Sequence, residues 1–247
     1  MTRTRIKVCG VRDARTALAA ADAGADAVGL VFAPASPRAV TSAQARKIVA
    51  ALPGFVEPVA LFVNAPLEKV RATAQALGIR TVQLHGDESP AYAAKLAPLR
   101  VIKALTLGGT VADLAAWKKA GANLAGLLWD APAPESDRRR GLTGGGGQTG
   151  DWHALALLAP SAPTTNLAPM ILAGGLNPEN VAAAIALVQP YAVDVSSGVE
   201  SRRGVKDPKL IEAFCAAVRA ADEFLGSGGQ SPCCGKGHRH GCQHSCT

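Results

Sequence analysis

Met170 to Gly198 reads MILAGGLNPENVAAAIALVQPYAVDVSSG. An apolar run gives way to two glycines, an Asn-Pro pair opens an alanine-rich stretch, and a second apolar run ends in Ser-Ser-Gly. Asn177 before Pro178 has the form of an N-cap with proline at the first helical position. The segment is therefore a strand, a tight turn, a helix and another strand. Because its apolar runs do not alternate with polar residues, both faces of each strand are covered, as in a parallel sheet. The same rhythm recurs in both directions, one unit every ~25 residues, which is the spacing of βα units. Strands are expected over Arg5 to Cys9, Ala27 to Phe32, Val59 to Val63, Thr81 to Leu84, Val101 to Ala104, Ala125 to Asp130, Met170 to Ala173 and Ala192 to Val195. Helices fill the gaps: Ala14 to Ala23, Ser42 to Ala51, Leu67 to Leu77, Ala91 to Leu96, Val111 to Ala120, Trp152 to Ala159, Glu179 to Val188 and Pro208 to Leu225. Eight such units predict an α/β fold, a closed (β/α)8 TIM barrel of one domain, residues 1–225. A doubly wound open sheet is the alternative, since periodicity says nothing of closure.

Two segments break the rhythm. Ala131 to Gly150 (APAPESDRRRGLTGGGGQTG) is a long Pro-, Arg- and Gly-rich loop after the sixth strand, a length typical of functional lids or disorder. Gly145, Gly147 and Gly150 within it satisfy GxGxxG, but no strand precedes them directly, so no dinucleotide site is expected. Residues 226–247 form a low-complexity tail without core-forming residues. It carries Cys233, Cys234, Cys242 and Cys246 with His238, His240 and His244. Lacking the paired CxxC spacing of a folded zinc site, it is read as disordered, and no metal is expected.

The chain of 247 residues is 48% apolar, with 4% aromatics and a net charge of +7. Its cations are scattered, which argues against nucleic acid and favours small anionic ligands. It contains no apolar stretch long enough to cross a bilayer, so no membrane partner is expected. Only Cys9 and Cys215 lie outside the tail; a disulfide framework is excluded, and a cytoplasmic location is the expectation.

Active sites of such barrels lie at the C-terminal ends of the strands. That rule selects Cys9, His85, Asp130 and Asp194. A thiol can serve as a base near neutrality where its surroundings favour the thiolate. A carboxyl leaving an apolar strand into a pocket can act as the complementary acid. Gly174 and Gly175 after the seventh strand, with Ser196, Ser197 and Gly198 after the eighth, let backbone N–H groups approach an anion, and together they predict a phosphate site.

The ordered motifs KVCGVRD, GLVFAPASPRAV, VQLHGDES, LLWD, ILAGGLNPENV and VDVSSGVESRRGVKDP, running from about Lys7 to Arg219, resemble the phosphoribosylanthranilate isomerase family of tryptophan biosynthesis. The resemblance implies an Amadori rearrangement of N-(5-phosphoribosyl)anthranilate to 1-(o-carboxyphenylamino)-1-deoxyribulose 5-phosphate, without metal or organic cofactor. It implies Asp130 as general acid, Cys9 as general base, and Arg38 of the SPR motif as a clamp on the anthranilate carboxylate. His85 and Asp194 would line the pocket, and Gly175 and Ser197 would donate backbone N–H groups to the ribose phosphate. The chain departs from the family where GGTG and then TFDW are usual: here the sequence is GGGGQTGDW. A monomer or homodimer acting on a phosphosugar is expected. Another phosphosugar-binding barrel enzyme, or a non-catalytic phosphate-binding or metal-handling protein, are the competing readings.

Overall fold

A computed structural model describes residues 3–106, 116–117, 123–132, 152, 155–156 and 168–227. Eight parallel strands follow in chain order: β1 (Arg5–Cys9), β2 (Ala27–Val31), β3 (Glu57–Phe62), β4 (Thr81–Leu84), β5 (Arg100–Thr106), β6 (Leu124–Asp130), β7 (Met170–Leu172) and β8 (Ala192–Val195). Closure is settled by β1 pairing with β8, Lys7 opposite Asp194 and Val8 opposite Val195. The open-sheet alternative is thereby excluded.

Helices α1 (Ala14–Asp22), α2 (Ser42–Ala51), α3 (Leu67–Leu77), α4 (Pro90–Ala94), α5 (Val181–Val188) and α6 (Pro208–Gly226) connect the strands or close the chain. Local chemistry fixes their starts. Asp13 caps α1, Thr41 and Gln44 form a reciprocal capping box on α2, and Asp207 caps α6 ahead of Pro208; each such cap contributes about 1 kcal/mol. The Asn177 side chain accepts from the N–H groups of Glu179 and Asn180, so it caps a turn that leads into α5 at Val181. The expected helices Val111 to Ala120 and Trp152 to Ala159, the long loop after β6 and the Cys/His-rich tail fall largely or wholly outside the described residues.

Alternate strand residues face two different environments. Ile6, Val8, Leu30, Phe62 and Leu84 point outward and pack with helix residues such as Ala17, Ile48, Val70 and Phe214. Val59, Ile102, Leu128, Ile171 and Ala192 form a separate apolar cluster that fills the barrel. Two residues further along β6 and β8, the series continues as Asp130 and Asp194. The apolar plug thus ends where the polar mouth begins, and that change positions the site.

One element escaped the sequence reading. After β8 comes a short 3-10 turn (Ser197–Val199), then an antiparallel pair, β9 (Glu200–Arg202) and β10 (Val205–Lys206). Glu200 and Lys206 turn their side chains inward, with only 4% and 2% exposure.

Candidate active site

Four strand ends supply the mouth. On β1, Lys7 and Cys9 face inward, both nearly fully buried. The Lys7 ammonium sits 2.7 Å from the Asp194 carboxylate of β8. From β4 and the residue beyond it, Gln83 and His85 follow each other on the inner face; the Gln83 amide nitrogen lies 2.8 Å from His85 Nδ1. His85 Nε2 in turn lies 3.2 Å from Asp130 Oδ2 at the end of β6. Asp194 feels the charges of Lys7, Asp130 and His85. Cys9 feels those of Lys7, Asp194 and Lys206. The sequence-selected Cys9, His85, Asp130 and Asp194 therefore share one electrostatic neighbourhood.

Burial sets the protonation there. It pushes the Cys9 thiol up from its ordinary value, against the pull of Lys7. In the ligand-free protein desolvation outweighs the neighbouring cation. Burial would lower the Lys7 ammonium, but Asp194 and Cys9 reverse this and hold it protonated.

Beside the mouth lies a second network. Arg38 Nε and Nη2 donate to the two oxygens of Glu200, at 2.7 and 3.0 Å. The Lys206 ammonium donates to Glu200 at 2.8 Å and to the Ser196 carbonyl at 2.9 Å. Ser196 Oγ then donates to the Cys9 carbonyl at 3.1 Å. Burial alone would raise the Glu200 carboxyl, yet the bonds from Arg38 and Lys206 outweigh it and hold it at about 2. A depressed carboxyl contributes stability above its unfolded value of 4.5 and loses it as pH falls towards 2. Glu200→Gln, which leaves two buried cations face to face, is expected to cost about 3 kcal/mol at neutral pH. In denaturant titrations, its difference from the parent should shrink below pH 4.5 and vanish near the folded value; a constant difference would contradict the network.

The two glycine-bearing turns meet. Gly174 has a positive φ of 82° and Gly175 one of 66°, a region that glycine enters without penalty. A Cβ on Gly198 would strike the Leu176 carbonyl and the Asn177 side chain. The turn after β8 therefore rests directly on the turn after β7. Asn180 Nδ2 binds the Gly175 carbonyl at 3.0 Å and fixes the first turn.

The family model described as N-(5′-phosphoribosyl)anthranilate (PRA) isomerase matches residues 6–217. The chain belongs to this isomerase family. Relatives named N-(5′-phosphoribosyl)anthranilate isomerase include that of Acidithiobacillus ferrooxidans, 47% identical over 89% of this chain and 99% of its own. That of Azotobacter vinelandii is 46% identical over 90% of this chain and 100% of its own. Among solved structures, the phosphoribosyl anthranilate isomerase from Thermotoga maritima superposes with a TM-score of 0.75 at 37% identity, covering 88% of this chain and 99% of that one. A phosphoribosyl anthranilate isomerase in complex with reduced 1-(o-carboxyphenylamino)-1-deoxyribulose 5-phosphate gives a TM-score of 0.72 at 34% identity over the same shares.

Within this isomerase fold, the sequence reading missed Lys7, Gln83, Glu200 and Lys206. Lys7 stood two residues before the chosen cysteine, where period-two alternation puts both on one face. The Arg38 contact of Glu200 was not legible, because the two lie 162 residues apart.

Proposed function

We propose that this protein isomerises N-(5-phosphoribosyl)anthranilate to 1-(o-carboxyphenylamino)-1-deoxyribulose 5-phosphate in tryptophan biosynthesis, with Asp130 as acid and Cys9 as base. The observation that carries the residue roles is the meeting of the β1, β4, β6 and β8 ends in one buried mouth beside the paired glycine turns. The substrate phosphate rests on the backbone of Gly174, Gly175, Ser196, Ser197 and Gly198. Asp130 protonates the ribose ring oxygen; the C1′–O bond breaks and a Schiff base forms at C1′. Cys9, as thiolate, removes the C2′ proton, and the resulting enolamine rearranges to the amino ketone.

His85 and Gln83 hold the acid ready. His85 Nε2 faces Asp130 Oδ2 at 3.2 Å; in the tautomer whose Nε2 accepts, Nδ1 carries hydrogen and needs an acceptor. Gln83 Oε1 is buried without a partner; turning the amide by 180° sets that oxygen against Nδ1. Arg38 receives the anthranilate carboxylate. A ligand carboxylate on its Nε–Nη2 edge displaces Glu200, which Lys206 already holds.

The test is direct. Freshly generated phosphoribosylanthranilate should lose its fluorescence on addition of the protein, and an unchanged signal would overturn the assignment. Gly198→Ala should push the two turns apart and raise KM about tenfold with kcat little changed, a loss of ~1.4 kcal/mol of binding. Steady-state kinetics check this, and a fall confined to kcat would move the phosphate elsewhere.

A further inference from the structure

Lys7 is a buried lysine that the acid and base roles leave unused. Its ammonium lies 2.7 Å from Asp194 with 5% of its side chain exposed. Gly29 of β2 shows what else it touches: a Cβ there would stand 2.7 Å from Cys9 Sγ and 3.2 Å from Lys7 Nζ. Sulfur and ammonium thus crowd over a strand position that has no side chain. Among the described residues, the other charged groups around Cys9 have partners of their own. Lys206 of β10 acts on it but is held by Glu200 of β9, which Arg38 also holds. His85 and Asp130 act on Asp194 from across the mouth.

We propose that Lys7 is a positioning residue for the base, its ammonium shared between Asp194 and Cys9 so that exchanging one partner for the other decides when the sulfur carries charge. The inference rests on Cys9 being the base. In the resting protein Lys7 is the cation, Asp194 the anion and Cys9 a thiol. As pH rises the Cys9 proton leaves to hydroxide: the S–H bond breaks, water forms, and the Lys7 ammonium turns from Asp194 towards the thiolate. Lys7 favours that charge on sulfur and Asp194 opposes it. Gly29 leaves room for the exchange.

The test compares pH profiles of kcat/KM in the full-length protein. Removing the cation with Lys7→Met should move the alkaline rise up by about one unit or more and cut kcat/KM at pH ~8 at least tenfold. Removing the anion with Asp194→Asn leaves Lys7 to the sulfur alone, and should move the rise down by about one unit. Opposite displacements are what a shared ammonium requires. If the two variants moved the rise in the same direction, or left it in place at lower activity, the sharing would be wrong. Lys7→Met leaves a buried anion and so endangers folding. The double variant Lys7→Met/Asp194→Asn has neither charge, and its rise should lie above that of Asp194→Asn; coincident profiles would overturn the proposal. An active Cys9→Ala would instead remove the base assignment itself, a separate failure.

Discussion

Cys9→Ala should lower kcat by about three to four orders of magnitude, the upper range for loss of a positioned general base. The C2′ proton is bound to carbon and does not leave at a useful rate without one. Substituting serine sharpens the test. Its hydroxyl nearly matches the thiol in shape, so packing against Val31 and Leu61 is kept, but it ionises far too weakly to act as base. Cys9→Ser should therefore be nearly as inactive as Cys9→Ala while melting close to the parent. Since burial raises the Cys9 thiol above its ordinary 9.0, the thiolate fraction of the free protein is small at neutrality and grows with pH. The parent kcat/KM should rise accordingly towards pH ~9. Activity in Cys9→Ser equal to the parent's would show that another group takes the proton.

Asp130→Asn should cost about a hundredfold to ten-thousandfold in kcat. The amide keeps the shape of the carboxyl but has no acidic proton for the ring oxygen. It also meets His85 Nε2, 3.2 Å away in the parent, with no carboxyl proton to share. KM should change little, because the phosphate and anthranilate ends of the ligand are held elsewhere. Kinetics that lose KM and keep kcat would make Asp130 a binding residue. The two substitutions should not add: with the ring closed, no acidic C2′ proton forms, so the double variant should be only slightly worse than the poorer single one.

Much of this was legible in the chain because it is local. Uniformly apolar runs marked the parallel strands, and β1, β4 and β8 begin and end where the pattern changes. β5 runs further, from Arg100 to Thr106, since the barrel wall continues to pair beyond the apolar core of the run. β3 starts at Glu57 and passes through Pro58, because proline near the start of a strand loses only one ladder bond. Distance in sequence hid the rest. Lys7 and Asp194 are 187 residues apart, and a lysine inside an apolar run gives no sign of its partner. Glu200 and Lys206 are only 6 residues apart, but Arg38, which shares the Glu200 carboxylate, lies 162 residues from it. Strand ends can be read from composition, whereas pairs of charges exist only after closure brings β1 beside β8.

The most direct test of the acid/base mouth is a structure of this protein with reduced 1-(o-carboxyphenylamino)-1-deoxyribulose 5-phosphate, the compound bound by one of its relatives. The phosphate should lie on the turns at Gly174–Gly175 and Ser196–Gly198, with Cys9 Sγ about 3.5 Å from C2′ and an Asp130 oxygen about 3 Å from the former ring oxygen. A ligand whose phosphate sits elsewhere, or whose sugar meets only one of those two side chains, would contradict the account.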